Sequence, residues 1–166
     1  MEGKDVQARK RLSLLTLVLP WVTVPFIRKN PFIRFLPTAT FIGYIFALFS
    51  EVAKKKKLWK VKNALFKGYT LDVSYLYGLY LITTIWIFKL TYRSFLKYLI
   101  TNIIADYFFS FHIVRIFEKI GTFEFKKMRH KHFFFISILL SVVIYFYQRI
   151  IEKVIFLEKL EDSDIT

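Results

Sequence analysis

Residues 101–117 read TNIIADYFFSFHIVRIF, an apolar run with Asp106 near its middle, Asn102 one turn earlier, and His112 and Arg115 near its end. About 20 apolar residues let an α-helix cross a bilayer, and this run lies inside a longer apolar block, 95–117. An ionised Asp at the centre of such a helix costs on the order of 3 kcal/mol. It is therefore expected to turn away from lipid and toward neighbouring helices.

Four further apolar blocks surround this one. They cover 12–27 (LSLLTLVLPWVTVPFI), 35–52 (FLPTATFIGYIFALFSEV), 69–88 (YTLDVSYLYGLYLITTIWIF) and 133–148 (FFFISILLSVVIYFYQ). Of the 166 residues 55% are hydrophobic and 20% aromatic, and the mean hydropathy is +0.42. The apolar residues form blocks too long and uniform for an amphipathic soluble core. The expected fold class is all-α, a polytopic membrane helix bundle of about five transmembrane helices, filling 1–166 as a single membrane domain. Pro20 should kink the first block by removing a helix hydrogen bond, and Pro37 fits the first turn of the second helix. Residues 149–160 read as an amphipathic continuation of the fifth helix or an interfacial helix, and 161–166 as a disordered tail.

The net charge of +14 would suggest nucleic acid in a soluble protein. Here the cations flank the apolar blocks, where cytoplasmic loops and anionic lipid headgroups call for them, so the expected partner is the bilayer and no nucleic acid. With five spans, the amino-terminal segment and the 53–68 and 115–132 loops share one side and carry seventeen Lys and Arg, against nine on the other. The positive-inside rule then places the N-terminus in the cytoplasm and the C-terminus outside. A re-entrant hairpin made by the first two blocks would leave those loops on the same side, so charge alone does not distinguish it. The excess of Phe, Ile, Lys and Tyr is what an A+T-rich genome tends to encode, which points to a bacterial inner membrane.

Three polar or small-residue sets carry the candidate sites. Asn102, Asp106 and Ser110 recur every four residues, below Tyr98, and form a polar stripe on one helix face. Glu51, Asp72, His112 and Arg115 lie at the cytoplasmic ends of spans two to four and could assemble as a structural clamp or a proton relay. Ala39, Gly43 and Ala47 form a small-residue stripe that lets another helix approach closely, inside the chain or in a homo-oligomer or membrane-protein partner. The absence of cysteine excludes disulfides and thiolate chemistry. No nucleophile elbow, zinc-protease or phosphate-loop motif is present, and His130 and His132 sit two apart in a basic loop. The expectation is a protein that is not an enzyme and carries no cofactor and no metal.

The early LPW at 19–21, FLPTATFIGYIFALF at 35–49, LW at 58–59, LDVSYLYGLY at 71–80 and TNIIADYFF at 101–109 together resemble a family of small, uncharacterised five-span membrane proteins from spore-forming Firmicutes. The KKKK run at 54–57, His112 and Arg115 depart from that pattern. The resemblance implies topology and source, and no chemistry. Two functions follow from the residues. One is a structural or accessory subunit that pairs through the Ala39, Gly43 and Ala47 face. The other is a small transporter, or the substrate-binding membrane subunit of a larger one, that uses Asp106 and Asn102.

Overall fold

The computed structural model describes residues 2–61 and 75–164, and it is 84% helical. Helix α1 covers Glu2–Trp21 and α2 Lys29–Lys55. A third helical segment runs as a π-helical turn, Tyr75–Tyr80, into α3, Leu81–Thr91. A fourth begins as α4, Phe95–Phe108, passes through a π-helical turn, Phe109–Ile113, and ends as α5, Val114–Ile120. Helix α6 covers His130–Asp164, so the continuation expected over 149–160 is one helix with the fifth block and runs into the expected tail.

Three segments are long and apolar enough to cross a membrane: Lys29–Lys55, Phe95–Ile120 and His130–Ile155. Only 28%, 11% and 22% of their most apolar windows are buried. Their remaining apolar side chains, Leu48, Ile104 and Leu139 among them, point outward. An exposed apolar surface of that extent is what lipid covers. The first block contributes a shorter apolar stretch, Ser13–Ile27, and the third is described only from Tyr75 onward.

Local chemistry sets the helix ends. Proline occupies two kinds of position here. Pro31 lies in the first turn of α2, where a missing N–H is harmless. Pro37 does not, contrary to expectation: α2 begins at Lys29, so Pro37 is inside the helix. Thr40 Oγ1 donates to the carbonyls of Leu36 and Pro37, 3.0 and 2.8 Å, beside the interrupted ladder. Pro20 is followed within one residue by the end of α1, and Thr23 closes the turn onto the Pro20 carbonyl. Gly121, at φ 75°, caps α5 in the left-handed conformation that glycine adopts without steric cost.

The helices alternate in direction, and polar contacts hold both ends of the bundle. At one end β1, Trp59–Val61, pairs antiparallel with β2, Phe123–Phe125, with Lys60 opposite Glu124. This ribbon was not expected from the sequence, and it joins the two loops richest in lysine and arginine. At the other end Arg34 of α2 donates to both carboxylate oxygens of Glu152 on α6, 2.6 and 2.9 Å. Glu152 also accepts from Tyr92 Oη, 2.8 Å, and Gln148 Nε2, 2.8 Å. Gln148 is fully buried and in turn accepts from Thr38. This clamp joins α2, the α3–α4 turn and α6.

Helix α1 runs beside the third segment toward the clamp end. Trp21 Nε1 donates to the Tyr77 carbonyl, Trp86 Nε1 to Thr23 Oγ1, and Lys89 Nζ to the Phe26 carbonyl. The two backbones are closest at Gly78, where an added Cβ would sit 2.1 Å from the Thr16 carbonyl oxygen. Two cores fill the bundle. One, nearer the clamp, is built on Phe35, Ile42, Ile85, Phe88 and Tyr98; the other, nearer the ribbon, on Phe46, Trp59, Leu76 and Phe133.

The ribbon pairing has a direct check, because facing antiparallel residues lie about 4.5–5.5 Å apart at Cα, inside the disulfide range. In this cysteine-free chain the double variant Lys60→Cys/Glu124→Cys is expected to cross-link under mild oxidation. Lys60→Cys/Lys97→Cys, with its cysteines at opposite ends, is expected not to. Absence of the first cross-link in folded protein would refute the pairing.

Candidate functional site

Asp106 lines a cavity of about 310 Å³ between the third segment, α4 and α6. Tyr75, Tyr80, Thr83 and Thr84 contribute from the third segment, Tyr98 and Asn102 from α4, and Ser137 and Ser141 from α6. Phe46 of α2 closes one side. The four-residue spacing of Tyr98, Asn102 and Asp106 puts all three on one helical face, and all three line the cavity.

The wall has an unusual polarity. Tyr98 Oη donates to the Ser141 carbonyl, 3.0 Å, and Asn102 Nδ2 to the Tyr98 carbonyl, 2.9 Å. Thr84 Oγ1 donates to the Tyr80 carbonyl, Ser137 Oγ to Phe133 and Ser141 Oγ to Ile138, at 2.9, 3.1 and 2.8 Å. Each hydroxyl has one proton to give, and these protons are engaged on backbone carbonyls. What such groups still offer is lone pairs. Among the described residues no hydrogen bond or ion pair reaches the Asp106 carboxyl, and no Lys, Arg or His lines the cavity.

Four rings separate this cavity from a smaller one of about 70 Å³ near the ribbon. Phe46, Tyr75, Phe109 and Phe133 line both. They form a closed circuit: Tyr75 stacks on Phe109 at 5.0 Å, Phe109 meets Phe133 at 6.2 Å, Phe133 meets Phe46 at 6.3 Å, and Phe46 meets Tyr75 at 6.3 Å. Tyr75 and Phe109 each lie in one of the two π-helical turns. Single π turns inside α-helices occur often at functional sites. Nothing in the spacing of the sequence reveals this partition, since its rings come from four separate elements.

The other residues singled out in the sequence fall differently. Ser110 does not join the polar stripe at the cavity. It lies in the Phe109–Ile113 π turn, whose wider winding breaks the four-residue register, and it is fully buried with its hydroxyl unpartnered among the described residues. The expected cluster of Glu51, Asp72, His112 and Arg115 is not assembled by the described residues. Glu51, His112 and Arg115 are all exposed, with no hydrogen bond or ion pair joining them; His112 stacks instead on Phe108 at 5.1 Å, and Asp72 lies outside the described residues. Ala39 is fully buried in the first core, Gly43 faces Leu76 at ordinary van der Waals distance, and Ala47 is half-buried. Ala39 and Gly43 therefore pack within the chain. His130 Nε2 lies 3.1 Å from Glu118, and no group of three or more metal-ligating side chains occurs among the described residues.

Fold and site together define an all-helical bundle that has three membrane-length apolar helices and a carboxyl-bearing cavity between helices. No protein-family model matches the chain, and no curated protein or solved structure shows significant similarity to it.

The unpartnered Asp106 leads to an expectation for stability. Asp106→Asn and Asp106→Leu should both melt at or above the temperature of the wild-type chain in detergent, because neither removes a hydrogen bond and Leu removes a buried polar group costing about 1–3 kcal/mol. A large drop in melting temperature for Asp106→Leu alone would identify Asp106 as a hydrogen-bonded strut.

Proposed function

We propose that the chain is an integral membrane protein that binds a small polar solute in the Asp106 cavity, as a small transporter or as the substrate-binding subunit of a larger one. The observation that carries this reading is a ligand-sized cavity lined by the Asp106 carboxyl group, which has no hydrogen-bond or ion-pair partner among the described residues. Binding cavities commonly start at about 300 Å³ and combine apolar walls with a few convergent polar groups. A structural subunit docking through Ala39, Gly43 and Ala47 is less well supported, because Ala39 is fully buried and Gly43 already faces Leu76.

The reading includes five transmembrane helices in a bacterial inner membrane, with the ribbon end cytoplasmic, as in the small Firmicutes proteins that the sequence resembles. The pairing of two lysine-rich loops in one ribbon supports it. So does α1, whose Ser13 and Thr16 line the ribbon-end cavity while Phe26 meets Lys89 near the clamp. A membrane-impermeant maleimide is expected to label Arg93→Cys in intact cells and Lys56→Cys only after permeabilisation. Labelling of both from outside would exclude this topology.

For the function itself, the protein in lipid nanodiscs should be screened by thermal shift against small polar solutes, with Asp106→Asn as comparator. At least one solute is expected to stabilise the wild-type chain by several degrees and the variant by far less. A screen in which every shift is equal in the two proteins would defeat the cavity reading.

A further inference from the structure

The donor and acceptor inventory of the cavity points to its ligand, and we infer that it takes a primary or secondary organic ammonium cation. This rests on the reading of the cavity as a solute site and narrows it to one chemical class. Among the described residues the wall carries one carboxyl group and no basic residue. The hydroxyl protons of Thr84, Ser137, Ser141 and Tyr98 are held on carbonyls. A solute that brings hydrogen-bond donors and positive charge meets the Asp106 carboxyl group and these lone pairs, whereas a carboxylate or phosphate would face Asp106 with no cation among the described residues of the lining to balance it.

The rings narrow the choice further. Aromatic faces attract cations within about 6 Å of the ring centroid, and aromatic side chains from α2, the third segment, α4 and α6 border the space. A divalent metal would need several oxygen ligands that include more than one carboxylate or a carbonyl cage. The described residues hold no group of three metal-ligating side chains, and among them Asp106 is the one acid that lines the cavity. The volume of about 310 Å³ accommodates an amine that carries one aromatic ring or a short alkyl chain. The ammonium group would pair with Asp106 and donate to the Ser and Thr oxygens, and the carbon skeleton would lie against the rings.

Three probes of nearly one shape test this in the full chain in nanodiscs, by calorimetry at neutral pH: 2-phenylethylammonium, 2-phenylethanol, and trimethyl(2-phenylethyl)ammonium. The first has charge and donors, the second lacks the charge, and the third lacks the donors. The primary ammonium is expected to bind at least about tenfold more tightly than either of the others, the size of effect a charged hydrogen bond supplies. Asp106→Asn is expected to bring it to within about threefold of the alcohol. The wild-type series decides the matter without the variant if Asp106→Asn does not purify. Equal binding of ammonium and alcohol would overturn the assignment and leave a neutral-solute site. Equal binding of the trimethyl compound would overturn the donor argument. If no probe binds while other solutes shift the wild-type chain through Asp106, the ligand class is wrong and the cavity reading stands; if no solute does so, both fall.

Discussion

Arg34 and Glu152 are 118 positions apart in the chain and meet through two parallel hydrogen bonds, and the rest of the bundle is arranged around that contact. A guanidinium matches a carboxylate in a planar fork, which fixes direction as well as distance. Tyr92 and Gln148 add their own donors to the same carboxylate, so three segments have one relative placement at this end. An isolated exposed ion pair contributes little to stability, and Arg34 is about half exposed. Here the pair is backed by the buried Thr38–Gln148 bond and by the Tyr92 ring, whose centroid lies 5.0 Å from the guanidinium carbon. The opposite end is fixed by the β1–β2 ribbon. The middle is fixed by neither.

That division accounts for what was legible in the sequence. Apolar block length requires no knowledge of partners, so the blocks at 35–52, 95–117 and 133–148 correspond to the membrane-length helices. The four-residue spacing of Asn102 and Asp106 is a property of one helix, and both line the cavity. Ser110 extended the same spacing and was misplaced because a π turn intervenes, which no local residue preference announces. The clamp was not legible. Glu152 reads as one charge of an amphipathic tail, and its partner lies near the start of another helix. The ribbon was hidden in the same way: WKV and FEF are too short to register as strands until they face each other. Among the described residues of the expected cluster, His112 stacks on Phe108 of its own segment, and Asp72 lies outside the described residues.

The chemistry of the cavity follows from helix geometry more than from the identity of its polar residues. Serine and threonine in a helix return their protons to carbonyls three or four positions earlier, as Ser137, Ser141 and Thr84 do. A wall built from such residues becomes acceptor-rich even though each hydroxyl can also donate. Asp106, with no facing cation among the described residues, adds an acid to that pattern. A structural aspartate in an apolar setting would be met by a hydroxyl, an amide or a cation, as Glu152 is at the clamp, where three side chains serve it.

The contrast between those two acids places the cavity within the logic of the fold. Glu152 has every acceptor site used and sits where the segments are held together. Asp106 has none used among the described residues and lies beside the circuit of Phe46, Tyr75, Phe109 and Phe133. Two members of that circuit lie in π turns, where the backbone departs from the i to i+4 bonding of the neighbouring α-helical turns. Helices pinned at both ends tolerate such departures in between, because the end contacts already fix direction and register. The clamp and the ribbon thus permit an interior that packing alone would close, and the Asp106 carboxyl group lies within it.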